Sequence, residues 1–280
     1  DAEFDGAAVR LLANEMQIGD VVVLREGAAK IISVGLVASD YQYLPQFDDV
    51  NGWDLQHGRR VRWGPQSPYT FATPLFGPAS PALGQVTQPE LIDYAQRCMN
   101  SALEGWKQAP LPPLPPEEAM LDIGRDAISP YIAGLVGQAL DLAPLYAASA
   151  HFGDPPAEHE MVAHYVVPLL RALGWQPEQI ALEWRRIDVA LFHRLPRTPE
   201  HLAFIVEAKR PHRGVESHLQ QACDYLRTQC VARDVVVTDG LRYRLYAADQ
   251  EYAPVAYANL ERLKESQLGL FERMRRNSER

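Results

Sequence analysis

The chain has 280 residues, 27 Lys+Arg against 36 Asp+Glu, a formal net charge of −9 and 47% hydrophobic residues. That length and composition predict a folded chain of about two domains, without the net basicity of a protein that coats nucleic acid. No apolar run approaches the roughly 18 residues of a membrane span. The first residues, Asp1-Ala2-Glu3-Phe4-Asp5-Gly6, carry neither a basic nor an apolar leader segment, so a cytoplasmic location is expected. Cys98, Cys223 and Cys230 are odd in number and irregular in spacing, which fits a reducing compartment and no disulfide framework.

In chain order, Val21–Leu24 and Ile31–Val37 are short β-branched runs bounded by Gly and Asp, the pattern of a small barrel or sandwich. A further strand is expected at Arg59–Trp63. Residues 89–104 follow helical spacing through Leu91, Tyr94, Ala95, Cys98 and Leu103. The segment Ala109–Pro116 alternates Pro and Leu and reads as a semi-rigid polyproline spacer. Residues 117–150 are Ala- and Leu-rich and are expected to be helical, broken at Pro130 and Pro144.

From residue 157 helices and strands alternate. A helix is expected over Glu158–Leu173, kinked near Pro168 and ended by Gly174. Strands are expected at Glu183–Phe192, Leu202–Lys209, Asp234–Thr238 and Leu241–Ala247, with a helix at Gly214–Gln229 and a tight turn at Asp239-Gly240. The order predicts a mixed sheet with flanking helices, an α/β (α+β) fold. The tail, 259–280, is expected to be an amphipathic helix with Leu260, Leu263, Leu270 and Phe271 on one side. The resulting organisation is a β-rich domain over 1–108, a connector over 109–156, a catalytic domain over 157–258 and the tail.

The chemistry concentrates on two strands. In Phe204-Ile205-Val206-Glu207-Ala208-Lys209, residues two apart share a face, so Glu207 and Lys209 project together. An apolar run precedes them, where an unpaired charge is disfavoured, and the chain has only four lysines, Lys30, Lys107, Lys209 and Lys264. Asp188, on the neighbouring strand, can supply a second carboxylate. Two converging carboxylates form a hard oxygen site suited to Mg²⁺ or Mn²⁺. Such an ion would acidify water and neutralise a phosphate, while Lys209 orients the nucleophile or stabilises developing charge.

Asp188 followed by Glu207-x-Lys209 resembles the signature of the PD-(D/E)xK nuclease superfamily. More narrowly, Glu160, Pro168-Leu169-Leu170, Leu173-Gly174-Trp175, Arg186-Ile187-Asp188, Glu207-Ala208-Lys209-Arg210 and Gln221-x-x-x-Tyr225 resemble the nuclease domain of type I restriction-enzyme motor subunits over about residues 157–248. The resemblance implies metal ligation by Asp188 and Glu207, catalysis by these with Lys209 and Glu160, and DNA support from Gln221 and Tyr225. Arg186, Arg210 and Arg213 would line a DNA track. The expected activity is metal-dependent DNA endonuclease in restriction of foreign DNA. A homodimer, a partner ATPase and a methylation subunit are all compatible with it. The alternatives are a non-cleaving DNA-binding or assembly module on the same fold, and a nuclease acting on RNA or in DNA repair.

The front span packs Tyr41, Tyr43, Trp53, Arg59, Arg60 and Trp63 closely in sequence. It resembles, more loosely, PUA-like or EVE-like readers of modified bases, which would use the aromatics as a pocket and the arginines for phosphate or groove contacts. Other motifs fail on geometry or spacing. His159 and His164 lie five apart, roughly 140° round a helix, and cannot share one zinc. No phosphate-binding Gly-rich loop and no nucleophile elbow is present.

Overall fold

The computed structural model describes residues 6–65, 68–76, 83–100, 105–114, 116–122, 130–147, 156–210, 219–229 and 231–276. The chain divides into two compact units, residues 1–115 and 116–280.

In the front unit, α1 (Gly6–Arg10) runs into a π-helical turn, Leu11–Glu15. Strands β1 (Val21–Glu26) and β2 (Lys30–Val37) form a hairpin, and the two-residue strands β3 (Gln42–Tyr43) and β4 (His57–Gly58) form a separate ribbon. β5 (Val61–Trp63), β6 (Tyr69–Thr70) and, after helix α2 (Pro89–Asn100), β7 (Lys107–Gln108) complete the unit. The main sheet has the order β1-β2-β5-β7, with β6 also on β2. Instead of the expected barrel, the described strands form an open path. Gly35 is where β2 and β5 touch: a Cβ there would lie 2.5 Å from Val61 and 2.7 Å from Trp63. The α2 residues Leu91, Tyr94 and Ala95 pack with Ile31, Val34 and Trp106 into the core, as the helical spacing predicts; residues 101–104 of the expected helix lie outside the described part.

The rear unit centres on a six-stranded sheet. Its strands are β8 (Ile180–Trp184), β9 (Ile187–Phe192), β10 (Leu202–Ala208), β11 (Asp234–Thr238), β12 (Arg242–Ala247) and β13 (Ala253–Asn259). They lie in the order β13-β12-β11-β10-β9-β8, all neighbours antiparallel except β10 and β11. Helix α3 (Pro130–Ala147) and the helical run α4 (Glu158–Met161), Val162–Val166 and α5 (Val167–Ala172) cover one face. Helix α6 (Leu219–Thr228) packs Ala222 and Leu226 on the other, and α7 (Gly269–Met274) joins the first. The interior strands β9, β10 and β11 are buried on both faces, which explains their near-continuous apolar runs.

Several elements differ from expectation. Glu183–Phe192 is not one strand: β8 and β9 are joined by a two-residue turn at Arg185-Arg186. The expected kink at Pro168 takes the form of a π turn, in which the Val167 N–H reaches the Val162 carbonyl. That extra residue accommodates a ring that would otherwise strike the preceding turn. Gly174, at φ 96°, closes the helix with paired bonds from Gly174 N to Arg171 O and from Trp175 N to Leu170 O. Pro144 sits inside α3 instead of breaking it. Residues 116–122 form no helix, with Met120 bridged to Lys264, and the described part of the tail, 259–276, holds two 3₁₀ turns plus α7 instead of one helix. Leu260, Leu263, Leu270 and Phe271 are nevertheless all buried.

Candidate active site

The apolar run of β10 is interrupted at Glu207, and the chain continues into Lys209, whose N–H donates to Thr238 O at 2.7 Å. β9 runs antiparallel beside it, so the beginning of β9 meets the end of β10. Asp188 Oδ2 accepts a hydrogen bond from Ala208 N at 2.8 Å. Lys209 Nζ donates to Glu207 Oε1 at 2.9 Å, and both side chains are buried, 1% exposed for Glu207 and 5% for Lys209. Glu207 Oε2 is buried and has no hydrogen-bond partner among the described residues. Asp188, Glu207 and Lys209 thus meet where the start of β9 lies beside the end of β10, as the spacing predicts.

The electrostatics follow from that crowding. Burial, reinforced by the Asp188 charge, pushes Glu207 up to about 7. Burial likewise raises Asp188, against the pull of the Ala208 N–H and Lys209. For Lys209, burial opposes the charged form, but Glu207, Glu158 and Asp188 outweigh it and hold the ammonium above its ordinary range. A bound cation would relieve this carboxylate pair, and the orphaned Glu207 Oε2 is a ready oxygen ligand. Among the described residues no three His, Cys, Asp or Glu side chains are disposed to hold one ion. Asp188 and Glu207 alone would then supply the side-chain ligands, with water completing a Mg²⁺ shell.

The helix carboxylate at this site is not Glu160. Glu160 Oε1 folds back onto the Ala157 N–H at 3.1 Å, and Oε2 accepts from the Tyr146 hydroxyl at 3.3 Å. Residues two apart on a helix point roughly 200° apart, and it is Glu158 whose Oε2 lies 4.0 Å from Lys209 Nζ. Sequence reasoning missed Glu158 because the choice depends on where the helix begins. It also missed Glu183, which falls opposite Asp188 between the pairs Leu182↔Val189 and Trp184↔Ile187. Glu183 raises Asp188 further and meets His159 at 3.3 Å.

Of the expected DNA-contacting residues, Arg186 sits in the β8–β9 turn and Arg210 is exposed just past Lys209. Tyr225 lies on α6, lining a shallow recess with Arg185, Arg186, Asp224, Thr228 and Gln229. Gln221 is in α6, but its side chain, like all of Arg213, lies outside the described residues.

The expected base-reading pocket in the front unit is only partly assembled. Tyr41 and His57 are joined at 2.6 Å from hydroxyl to Nδ1, and Tyr43 tilts against the same imidazole at 5.3 Å between centroids. Trp53 is exposed in a separate turn, and Trp63 packs over Gly35. Arg59 is spent on structure, donating to the carbonyls of Leu12, Ser39 and Ala13 at 2.6, 3.1 and 3.1 Å. Arg60 donates to Ala109 O. A backbone carbonyl cage satisfies a guanidinium as fully as a phosphate does, and residue type alone does not distinguish the two. Both arginines border a recess of about 210 Å³ whose other lining is mostly apolar, from Leu44, Phe47, Leu55, Leu111 and Pro112, with Gln42 and Gly58.

Residues 2–74 match the model of a family described as a domain of unknown function, DUF8426. No curated protein and no solved structure matches the chain. Among the described residues, no helix is long and apolar enough to cross a membrane.

Proposed function

We propose that the rear unit is a divalent-metal-dependent endonuclease that hydrolyses phosphodiester bonds in DNA, and that it acts in restriction of foreign DNA. The observation that carries this reading is the convergence of Asp188, Glu207 and Lys209, with one buried carboxylate oxygen that has no hydrogen-bond partner among the described residues. Held by Asp188 and Glu207, Mg²⁺ or Mn²⁺ would supply Lewis-acid chemistry, acidifying water and neutralising phosphate charge. The protein's own groups have distinct tasks. The Ala208 N–H fixes the Asp188 carboxylate, and Glu207 holds the Lys209 ammonium. That ammonium stabilises negative charge as water adds to phosphorus and the P–O bond to the leaving sugar oxygen breaks. Burial of Glu207 and Lys209 makes these interactions stronger than they would be in water.

The test is incubation of the full chain with modified and unmodified plasmid DNA, with and without Mg²⁺. Wild type should nick or linearise plasmid only with the metal, and Lys209→Ala should lose about 10²–10³-fold in rate. A wild type inert on every form of DNA, or a Lys209→Ala protein as fast as wild type, contradicts the proposal.

A further inference from the structure

The turn between β8 and β9 places Arg185 at φ 52° and Arg186 at φ 74°, closing directly on the Trp184↔Ile187 pair. Two successive positive φ values define the hairpin turn that Asn-Gly suits best, because a Cβ disfavours both positions. Arginine is among the less suitable occupants. Both side chains are exposed, so no core packing demands them.

The side chains are nonetheless arranged. The Arg185 guanidinium lies over the Trp184 ring at 4.7 Å from its centroid, and its Nη1 donates to Gln229 Oε1. Together with Arg186, Tyr225 and Thr228 it borders the recess beside α6. Among the described residues that line the recess one is a carboxylate, Asp224, which Arg227 engages at 2.6 Å. Arg186, the last residue of the turn, stands two residues before Asp188 of β9, at most about 7 Å along the chain. A chain of net charge −9 therefore carries two adjacent guanidinium groups, on backbone that disfavours them, next to its carboxylate pair.

We infer that the Arg185–Arg186 turn is a phosphate grip that holds a non-scissile backbone phosphate of the bound DNA strand. This rests on the nuclease reading above and deepens it by naming the element that sets the strand's position. Guanidinium groups bind phosphate oxygens bidentately. Stacking on Trp184 and the bond to Gln229 pre-order Arg185, so less freedom is lost on binding.

The experiment compares the full-length wild type with R185N/R186G and R185K/R186K. Thermal melts are recorded alongside titration of a short labelled DNA duplex in EDTA across a salt series. R185N/R186G should melt about 2–4 °C higher, since the turn gains residues its backbone favours. The same variant should bind duplex about tenfold more weakly, with the slope of log affinity against log salt flatter by about 1–2. R185K/R186K should retain the wild-type slope and gain no stability. If wild type binds duplex and R185N/R186G binds it as tightly with the same slope, this inference falls and the nuclease reading stands. If R185N/R186G melts lower, the turn argument is wrong. Absence of duplex binding by wild type would remove both.

Discussion

Two hairpin turns lie at the same end of the rear sheet's strands, on either side of the end of β10, and they are built on opposite principles. The β11–β12 turn is relaxed. Asp239 Oδ1 accepts from Leu241 N and Arg242 N at 3.2 and 2.8 Å, and its Oδ2 meets Arg242 Nε at 3.1 Å. Thr238 Oγ1 accepts from Gly240 N at 2.9 Å, and glycine occupies the position with φ 92°. The β8–β9 turn has arginine at two positive-φ positions, and β8 just before it has a third at Glu183, which falls opposite Asp188 on β9. Left-handed backbone of this kind at non-glycine residues is destabilising by about 1–3 kcal/mol each, and like charges directly across a ladder add to it. One turn serves folding; the other holds charge beside the carboxylates against the preference of its own backbone.

That contrast can be broken or sharpened by substitution. The largest effect is expected at Asp188. Asp188→Asn keeps an acceptor for the Ala208 N–H but removes a buried charge that repels Glu207 and Glu183, at the loss of its attraction to Lys209. Plasmid cleavage should fall by at least about 10²-fold while the melting temperature rises; a variant that is both inactive and less stable would deny that the site is held at a cost.

Next comes the pH dependence of the metal-free fold. Burial and Asp188 raise Glu207 from 4.5 to about 7. Below about pH 4.5 this carboxyl is protonated in both states; between 4.5 and 7 the unfolded chain releases its proton and the native chain keeps it. Stability from Glu207 therefore declines as pH rises through that window, by on the order of 3 kcal/mol, and levels off above it. Asp188, also raised, acts with the same sign, whereas the raised Lys209 matters only in the alkaline range. Denaturant melts in EDTA at about pH 5 and about pH 8 should show the protein more stable in acid.

Gly240→Ala tests the relaxed turn. Its Cβ would lie 3.0 Å from the Tyr165 ring at a backbone φ of 92°, and a loss of about 2 kcal/mol is expected by denaturation. The smallest change, and of opposite sign, is the modest stabilisation of R185N/R186G. Equal signs for these two substitutions would erase the distinction between the turns.

The legibility of the sequence follows the same division. Asp239-Gly240, Gly174 and the apolar run ending in Glu207-x-Lys209 announce themselves, because each uses the residue its geometry prefers. Arg185-Arg186 carries no turn signal, so two strands read as one. β13 is also hidden: Pro254 argues against a strand, yet β13 is the sheet's edge, where a missing N–H is tolerated. The tail's apolar spacing identifies the buried residues but not the break into short turns, since Leu260, Leu263, Leu270 and Phe271 are buried either way. Glu158 and Glu160 share a residue type and a helix end; only the cap at Ala157 decides which one faces Lys209.

The central claim is that Asp188 and Glu207 together hold one divalent cation. Calorimetric titration of Mn²⁺ into the metal-free full chain, above the pH at which Glu207 ionises, tests it most directly. A single site in wild type that is lost in both Asp188→Asn and Glu207→Gln is the predicted result. Wild-type affinity retained in the Glu207→Gln protein would contradict it.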